Sequence, residues 1–277
     1  MKTENSNEEG KKVMDIKDMK VVILAGGFGT RIAEESHLRP KPMIEIGGKP
    51  ILWHLMKIYS AQGFNDFVIC AGYKQDIIKE YFDDYFLHSS DVTFDFRDTK
   101  KTVTVHGTQV EPWSVTVANT GYNSMTGGRV KRIQPYVGDN PFMLTYGDGL
   151  ADVNLRALLD QHEKTGATVT LTGAALAQSK GVLDVSDNGI VDSFREKKKT
   201  DDSVINGGFM VCEPEIFDLI SGDSSILEEE PLPLLAQAGK LACYKHDGFW
   251  KCMDTQRERG QFENYWASGD APWKIWE

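Results

Sequence analysis

Two hydrophobic rhythms divide the chain. Short, nearly continuous apolar runs at Lys20–Ala25 (KVVILA) and Asp66–Ala71 (DFVICA) have the length and β-branched content of strands buried on both faces. Pro50–Gln62 and Lys74–Phe86 (KQDIIKEYFDDYF) carry apolar residues at helical spacing. This alternation of strand and helix predicts an α/β fold with a mainly parallel sheet covered on both faces. From Val92 to Thr120 the rhythm changes: VTFDF, KTVTVHG and SVTVANT repeat every two residues, which predicts short antiparallel strands or ribbons. The α/β pattern then resumes. GGRVKRIQPYV reads as a helix entry, Pro141–Gly149 (PFMLTYGDG) as a strand ending in an exposed acid, Asn154–Lys164 as a helix and ATVTLT as a strand. VLDVSDNGIVDSF predicts a hairpin turning at Asp187, Asn188 and Gly189. Val204–Cys212 (VINGGFMVC) predicts a strand whose glycine pair lets something approach the backbone closely. GFWKCMDTQRERGQFENYW predicts a strand, an acid at its end, and a helix starting near Asp254 or Thr255.

Residues 1–18 are polar and charged and read as a flexible extension. With no repeat or linker beyond them, residues 19–277 are expected to form a single domain with inserted ribbons. The net charge of −10 argues against nonspecific binding to nucleic acid or an anionic membrane, so a phosphate ligand must be met by a local cluster of cations and amides. No apolar run reaches the roughly 18 residues of a membrane span, and the N-terminus lacks a signal-peptide core, so a cytoplasmic location is expected. Cys70, Cys212, Cys243 and Cys252 show no CxxC pairing and read as packing residues.

The first candidate for chemistry is Leu24–Arg31 (LAGGFGTR), a glycine-rich loop directly after an apolar strand. As a dinucleotide fingerprint it fails, because Ile32 stands where glycine or alanine should pack helix on strand, and Pro40, Pro42 and Gly47-Gly48 interrupt the crossover helix. The GxxxxGK[ST] spacing of a P-loop is absent. What remains are glycine amides able to approach an anion, joined to Arg31 and Lys41. Arginine offers a fork of donors, and lysine a compact charge that can follow one phosphoryl group. Pro40 and Pro42 stiffen the backbone around Lys41.

These residues carry a resemblance. LAGGFGTR followed by PKPMIEIGGKPILWH (Pro40–His54) resembles the signature of the sugar-1-phosphate nucleotidyltransferases. EPWSVTVANTG, SMTGGRVKR, TYGDG, INGGF, GFWKCMDT and the closing APWKIWE are similar to the members that transfer a cytidylyl group to glucose 1-phosphate. The resemblance covers about Lys20 to Glu277. It implies a Rossmann-like three-layer nucleotidyltransferase fold, with a nucleotide half at about 19–150 and a sugar-binding half at about 151–277. It further implies CTP and glucose 1-phosphate as substrates, Mg²⁺ as cofactor, and a homo-oligomer, with a hexamer among the candidates.

The roles follow motif by motif. The resemblance assigns Arg31, Lys41 and Asp148 to catalysis, and Asp148 and Asp254 to the metal. It assigns Leu24, Ala25, Gly26, Gly27, Gly29, Thr30, Arg31, Lys41, Ser124, Arg129 and Gly147 to the nucleotide. Glu196, Lys197, Asn206 and Gly207 fall to the sugar phosphate, Asn206 because its amide both donates to and accepts from hydroxyls. Two segments depart from the pattern. Lys198-Lys199-Thr200 replaces the usual proline, lysine and glycine after Glu-Lys, and Gln178–Val182 lacks the usual Arg-Phe-Gly. Both fall in the sugar half and leave the transfer chemistry intact.

Outside these motifs, Trp53, Trp113, Trp250, Trp266, Trp273 and Trp276 read as core or subunit contacts, and His54 as a packing histidine. The aromatic tail APWKIWE is expected to dock on its own domain or on a neighbouring subunit.

Overall fold

The computed structural model describes residues 16–97, 100–175, 182–185, 191–195 and 204–277. Among these residues the centre is an eight-stranded mixed sheet. Its strands are β1 (Lys20–Leu24), β2 (Asp66–Ala71), β3 (Ser114–Asn119), β4 (Phe142–Tyr146), β5 (Val169–Ala175), β6 (Val204–Asn206), β7 (Met210–Cys212) and β8 (Leu241–His246). β1 lies between β2 and β4 and runs parallel to both, and β3 continues the parallel set beyond β2. On the other side β7 is antiparallel to β4 and to β5, β6 is also antiparallel to β5, and β8 runs parallel to β5.

The apolar runs of the sequence are explained by this double cover. Val21 and Ile23 of β1, with Phe67 and Ile69 of β2, face one core, while Val22, Val68 and Cys70 face the other. The first core is closed by α1 (Ile51–Ser60), α4 (Leu155–Thr165) and α5 (Gln256–Ser268). On the opposite face α3 (Thr126–Arg132) packs with the 3-10 segment Pro214–Leu219, which carries Ile216 and Phe217, and with the short helix Pro231–Gln237, which carries Leu235. The edge beside β3 is covered by α2 (Gln75–His88). Both halves of the chain supply strands to this one sheet.

Three sequence expectations change here. SVTVANT is not part of a separate antiparallel ribbon: it is β3, paired parallel to β2 in register Asp66↔Ser114 to Ala71↔Asn119. Only Ser90–Asp95 and Thr102–Thr108 form the outer ribbon. Val204–Cys212 is not continuous, because Gly207, Gly208 and Phe209 break it into β6 and β7, with Gly208 at φ 72° and Phe209 at φ 40°. A non-glycine residue in that left-handed region is strained. Phe209 is held there by complete burial and by stacking on Tyr59 at 5.7 Å. Finally, the strand of PFMLTYGDG stops at Tyr146, so Asp148 sits in the turn before the short strand Gly149–Ala151. The strands of the predicted hairpin are Val182–Val185 and Val191–Arg195, and its turn lies outside the described residues.

The tail docks on its own domain. Trp273 is fully buried, and its indole donates to His54 Nδ1 at 3.4 Å while His54 Nε2 donates to Ile46 O at 2.8 Å. Trp53, Trp266 and Trp276 ring the same imidazole. His54 is thus a packing histidine. Burial lowers its pKa to about 4, so the ring is neutral.

Candidate active site

After β1 the chain departs to β2 on one side and later returns to β4 on the other. The carboxyl ends of β1 and β4 therefore flank a topological switch point, where open α/β sheets form a crevice. The glycine loop leaves β1 there and Asp148 follows β4. Their strand ends are tied by Gly147 N–H donating to Leu24 O at 2.9 Å, and a Cβ on Gly147 would come within 2.8 Å of that oxygen. Ala25 N–H donates to Cys70 O at 3.1 Å. These polar groups of Leu24, Ala25 and Gly147 are engaged in closing the sheet, which leaves the Gly27–Thr30 face of the loop toward solvent.

At the mouth four charged side chains meet. Lys41 Nζ lies 2.5 Å from both Asp148 Oδ2 and Asp254 Oδ1, and Arg31 Nη1 lies 2.7 Å from Asp254 Oδ2. The Lys41 side chain is only 10% exposed, whereas that of Arg31 is 71% exposed. Burial alone would lower the Lys41 pKa, but the two carboxylates outweigh it and the net shift is upward. For Asp254 burial pushes upward, and Lys41 and Arg31 reverse it to a net depression. Both shifts favour the charged forms of Lys41 and Asp254. The neighbouring Cys252 thiol stays protonated, because burial and the acids around it push its pKa up to about 12.

Local sequence positions each member. Lys41 opens a single 3-10 turn, Lys41–Met43, entered from Pro40. Asp254 precedes α5, yet it is not the cap. Thr255 accepts from Glu258 N, and Glu258 Oε2 accepts from Asp254 N at 2.7 Å and Thr255 N at 2.9 Å, a complete capping box. The Asp254 carboxylate is thereby left free for the two cations.

Two carboxylates converging on one cation, at a mouth open to phosphate and water oxygens, form a donor set that suits magnesium. Among the described residues no group of three or more His, Cys, Asp or Glu converges, so a hard cation here would complete its shell from substrate and water.

Arg129, which the resemblance assigns to the nucleotide, packs against the glycine loop. It is buried, and its guanidinium donates to Thr120 Oγ1 (3.0 Å), Gly121 O (2.7 Å) and Gly26 O (2.9 Å). A Cβ on Gly26 would lie 2.1 Å from that guanidinium, so this glycine makes room for an arginine. Burial pulls the Arg129 pKa below its ordinary range. Ser124 is buried beside the loop around Asp223, an acid held by Arg132 through two bonds of 2.7 and 2.6 Å. A Cβ on Gly29, at φ 63°, would lie 3.2 Å from Lys41 Cβ, and Thr30 and Arg31 begin the next helical turn.

On the sugar side, Asn206 is exposed at the end of β6 and Gly207 is buried beneath it. Glu196, Lys197 and the departing residues 178–181 and 198–200 lie outside the described residues. Trp250, read from sequence as core or subunit contact, is half-buried and donates its indole N–H to Gly207 O at 2.7 Å. Tyr146, to which no role was assigned, bonds Asn206, and Glu228, which lies in no motif, bonds Tyr146. TYGDG was the only available signal for the tyrosine, and nothing in SSILEEEP marked the glutamate.

The family model for nucleotidyl transferases matches residues 20–268, and the chain belongs to that family. It is 53% identical over 260 residues to glucose-1-phosphate cytidylyltransferase of Salmonella typhi, covering 94% of this chain and 100% of that one. It is 44% identical to a probable glucose-1-phosphate cytidylyltransferase of Bacillus subtilis (strain 168), over 93% of this chain and 100% of the relative. Among solved structures, HddC from Yersinia pseudotuberculosis complexed with GMP-PN shares the fold, with a TM-score of 0.63 at 22% identity over 90% of this chain and 99% of that one.

Proposed function

We propose that the chain transfers a cytidylyl group from CTP to α-D-glucose 1-phosphate, giving CDP-glucose and pyrophosphate. The observation that carries this reading is the convergence of Lys41, Arg31, Asp148 and Asp254 beside the glycine loop, in a chain that matches cytidylyltransferases over nearly its whole length. A phosphate oxygen of the sugar phosphate attacks the α-phosphorus in line. A new P–O bond forms, the bond to the β-phosphate oxygen breaks, and pyrophosphate leaves. The nucleophile is already anionic, so orientation and charge neutralisation dominate over general-base chemistry.

Lys41 is the group assigned to the charge at the reacting phosphorus. Arg31, on the exposed rim, meets the triphosphate. Asp148 and Asp254 would hold Mg²⁺, which when bound supplies Lewis-acid polarisation of the phosphoryl oxygens. The Gly27–Thr30 face of the loop takes the nucleotide, and Arg129 acts by bracing that loop from behind. Asn206 and Gly207 face the sugar.

The strands shared between the two halves support one catalytic domain over 19–277. Phe94, Phe96 and Val103, exposed on the outer ribbon, support a homo-oligomer. No helix among the described residues is long and apolar enough to cross a membrane, in keeping with a cytoplasmic enzyme.

The test is pyrophosphate release with Mg²⁺ over a grid of CTP, UTP, dTTP, ATP and GTP against several sugar 1-phosphates, with product masses determined. Turnover confined to CTP and glucose 1-phosphate is expected. A maximum at another pair would keep the chemistry and reassign the substrates, whereas a silent, folded protein would sink the reading. Lys41→Ala should lower kcat by about 10²–10³, the scale of losing one donor at developing charge. A kcat within threefold of wild type would remove Lys41 from the mechanism.

A further inference from the structure

The wiring behind Asn206 runs in one direction. Asn206 offers two chemically different ends, and an amide that flipped would exchange donor for acceptor toward a ligand. Gly208 N–H lies 3.0 Å from Oδ1 and can only donate, so it fixes the oxygen. The other end, Nδ2, donates to Tyr146 Oη at 3.2 Å. That bond requires the tyrosine to present a lone pair, and it does so because its own proton is engaged by Glu228 Oε1. Glu228 is an acceptor only, and its second oxygen takes the Thr126 hydroxyl proton at 2.7 Å, while Thr126 Oγ1 accepts from Leu227 N–H at 2.9 Å. Burial and the Glu228 carboxylate push the Tyr146 pKa upward, keeping the phenol protonated.

The relay has a structural counterpart in the Asn206–Phe209 loop. At Gly208, with φ 72°, a Cβ would sit 3.0 Å from Tyr146 Cδ2, so the loop is wrapped against the tyrosine ring. Gly207 N–H donates to Thr172 O at 2.8 Å, and Thr172 Oγ1 donates to Phe209 O at 2.8 Å. The loop backbone is anchored, and only the Asn206 amide depends on the relay.

We propose that Tyr146 and Glu228 are positioning residues for sugar selection: the carboxylate sets the direction of the Tyr146 proton, and the phenol oxygen then holds the Asn206 amide in a single orientation. The second Nδ2 hydrogen and the second Oδ1 lone pair remain as a fixed donor–acceptor pair for adjacent hydroxyls of a sugar phosphate. Because Thr126 opens α3 in the same stretch as Ser124 and Arg129, the relay also connects the nucleotide side of the crevice to the sugar side. The inference rests on the nucleotidyltransferase reading given above.

Steady-state kinetics of the full chain with CTP against glucose 1-phosphate and its epimer galactose 1-phosphate provides the test. Tyr146→Phe is expected to raise KM for glucose 1-phosphate about tenfold, the value of one lost orienting bond, and to narrow the preference over galactose 1-phosphate by a similar factor, with KM for CTP within twofold. Glu228→Ala should reproduce the phenylalanine variant. Glu228→Gln keeps an acceptor for Tyr146 and should rescue the sugar KM to within threefold. Combining Tyr146→Phe with Glu228→Ala should add little to either alone.

The relay is overturned by an unchanged sugar KM in Tyr146→Phe, by equal losses for CTP and sugar, or by Glu228→Gln failing as badly as Glu228→Ala. If wild-type protein shows no turnover with this substrate pair, the underlying functional reading fails instead. Thermal melting of each variant separates these results from loss of fold.

Discussion

Gly26 and Gly27 are neighbours in one motif, yet their surroundings differ. A Cβ at Gly26 would collide with the Arg129 guanidinium, whereas one at Gly27 meets nothing within 4 Å. Gly26→Ala should therefore displace a buried guanidinium from its carbonyl partners and cost about 2–3 kcal/mol, in the range of hydrogen bonds to a charged group. Gly27→Ala should stay within about 0.5 kcal/mol, as for an exposed substitution touching no special feature. Urea denaturation of the two variants side by side is the measurement, and equal losses would contradict the bracing role of Arg129. In the sequence both glycines look like phosphate-loop residues. The difference arises because the side chain that fills the space at Gly26 comes from 103 positions away.

At the scale of elements, the capping box of α5 does two jobs. It satisfies the N-terminal amides of the helix, and it holds the backbone of Asp254 through Glu258. Glu258→Ala should cost about 1 kcal/mol of stability, as for loss of an N-cap. It should also raise the Mg²⁺ concentration needed for half-maximal turnover several-fold, read from a magnesium titration. A stability loss with an unchanged magnesium dependence would limit Glu258 to capping. The helix start near Asp254 or Thr255 was legible from Thr255, Glu258 and the helical run after them. That Thr255 takes the cap and frees Asp254 was decided by side-chain geometry. SVTVANT shows a similar limit: its period of two identified a strand, but periodicity carries no information on pairing partners, and the alignment beside β2 made it parallel.

At the scale of the whole molecule, His54 joins α1, the Glu45–Pro50 turn and the C-terminal tail at one buried point. Its pKa is about 4 in the fold, lowered by burial, against an ordinary value of 6.5. The unfolded chain therefore takes up a proton at this site between about pH 6.5 and 4 that the folded chain does not. The stabilisation is complete above about pH 6.5 and is lost as pH falls toward 4, amounting to roughly 3 kcal/mol at 1.36 kcal/mol per pH unit. Thermal melts from pH 7.5 to 4.5 should show Tm falling across this window, with a shallower fall in His54→Gln. An equally steep fall in the variant would place the acid sensitivity elsewhere.

Sequence alone determined the class of fold, because runs of Val, Ile and Phe long enough to be buried on two faces leave few arrangements other than a covered parallel sheet. It also singled out Arg31 and Lys41 as cations suited to phosphate and, through the family resemblance, Asp148 and Asp254, and the structure brings all four together. Tertiary structure decided which distant side chains meet. Arg129 lies behind the loop, Tyr146 bonds Asn206 and Glu228 bonds Tyr146, the Gly207–Phe209 break divides a strand, and the aromatic tail closes on its own core. The reason is physical. Local propensity and charge act over a few residues and are written in order along the chain, whereas a hydrogen bond or a steric contact between residues 82 or 103 apart exists only after the fold has set their distance and direction.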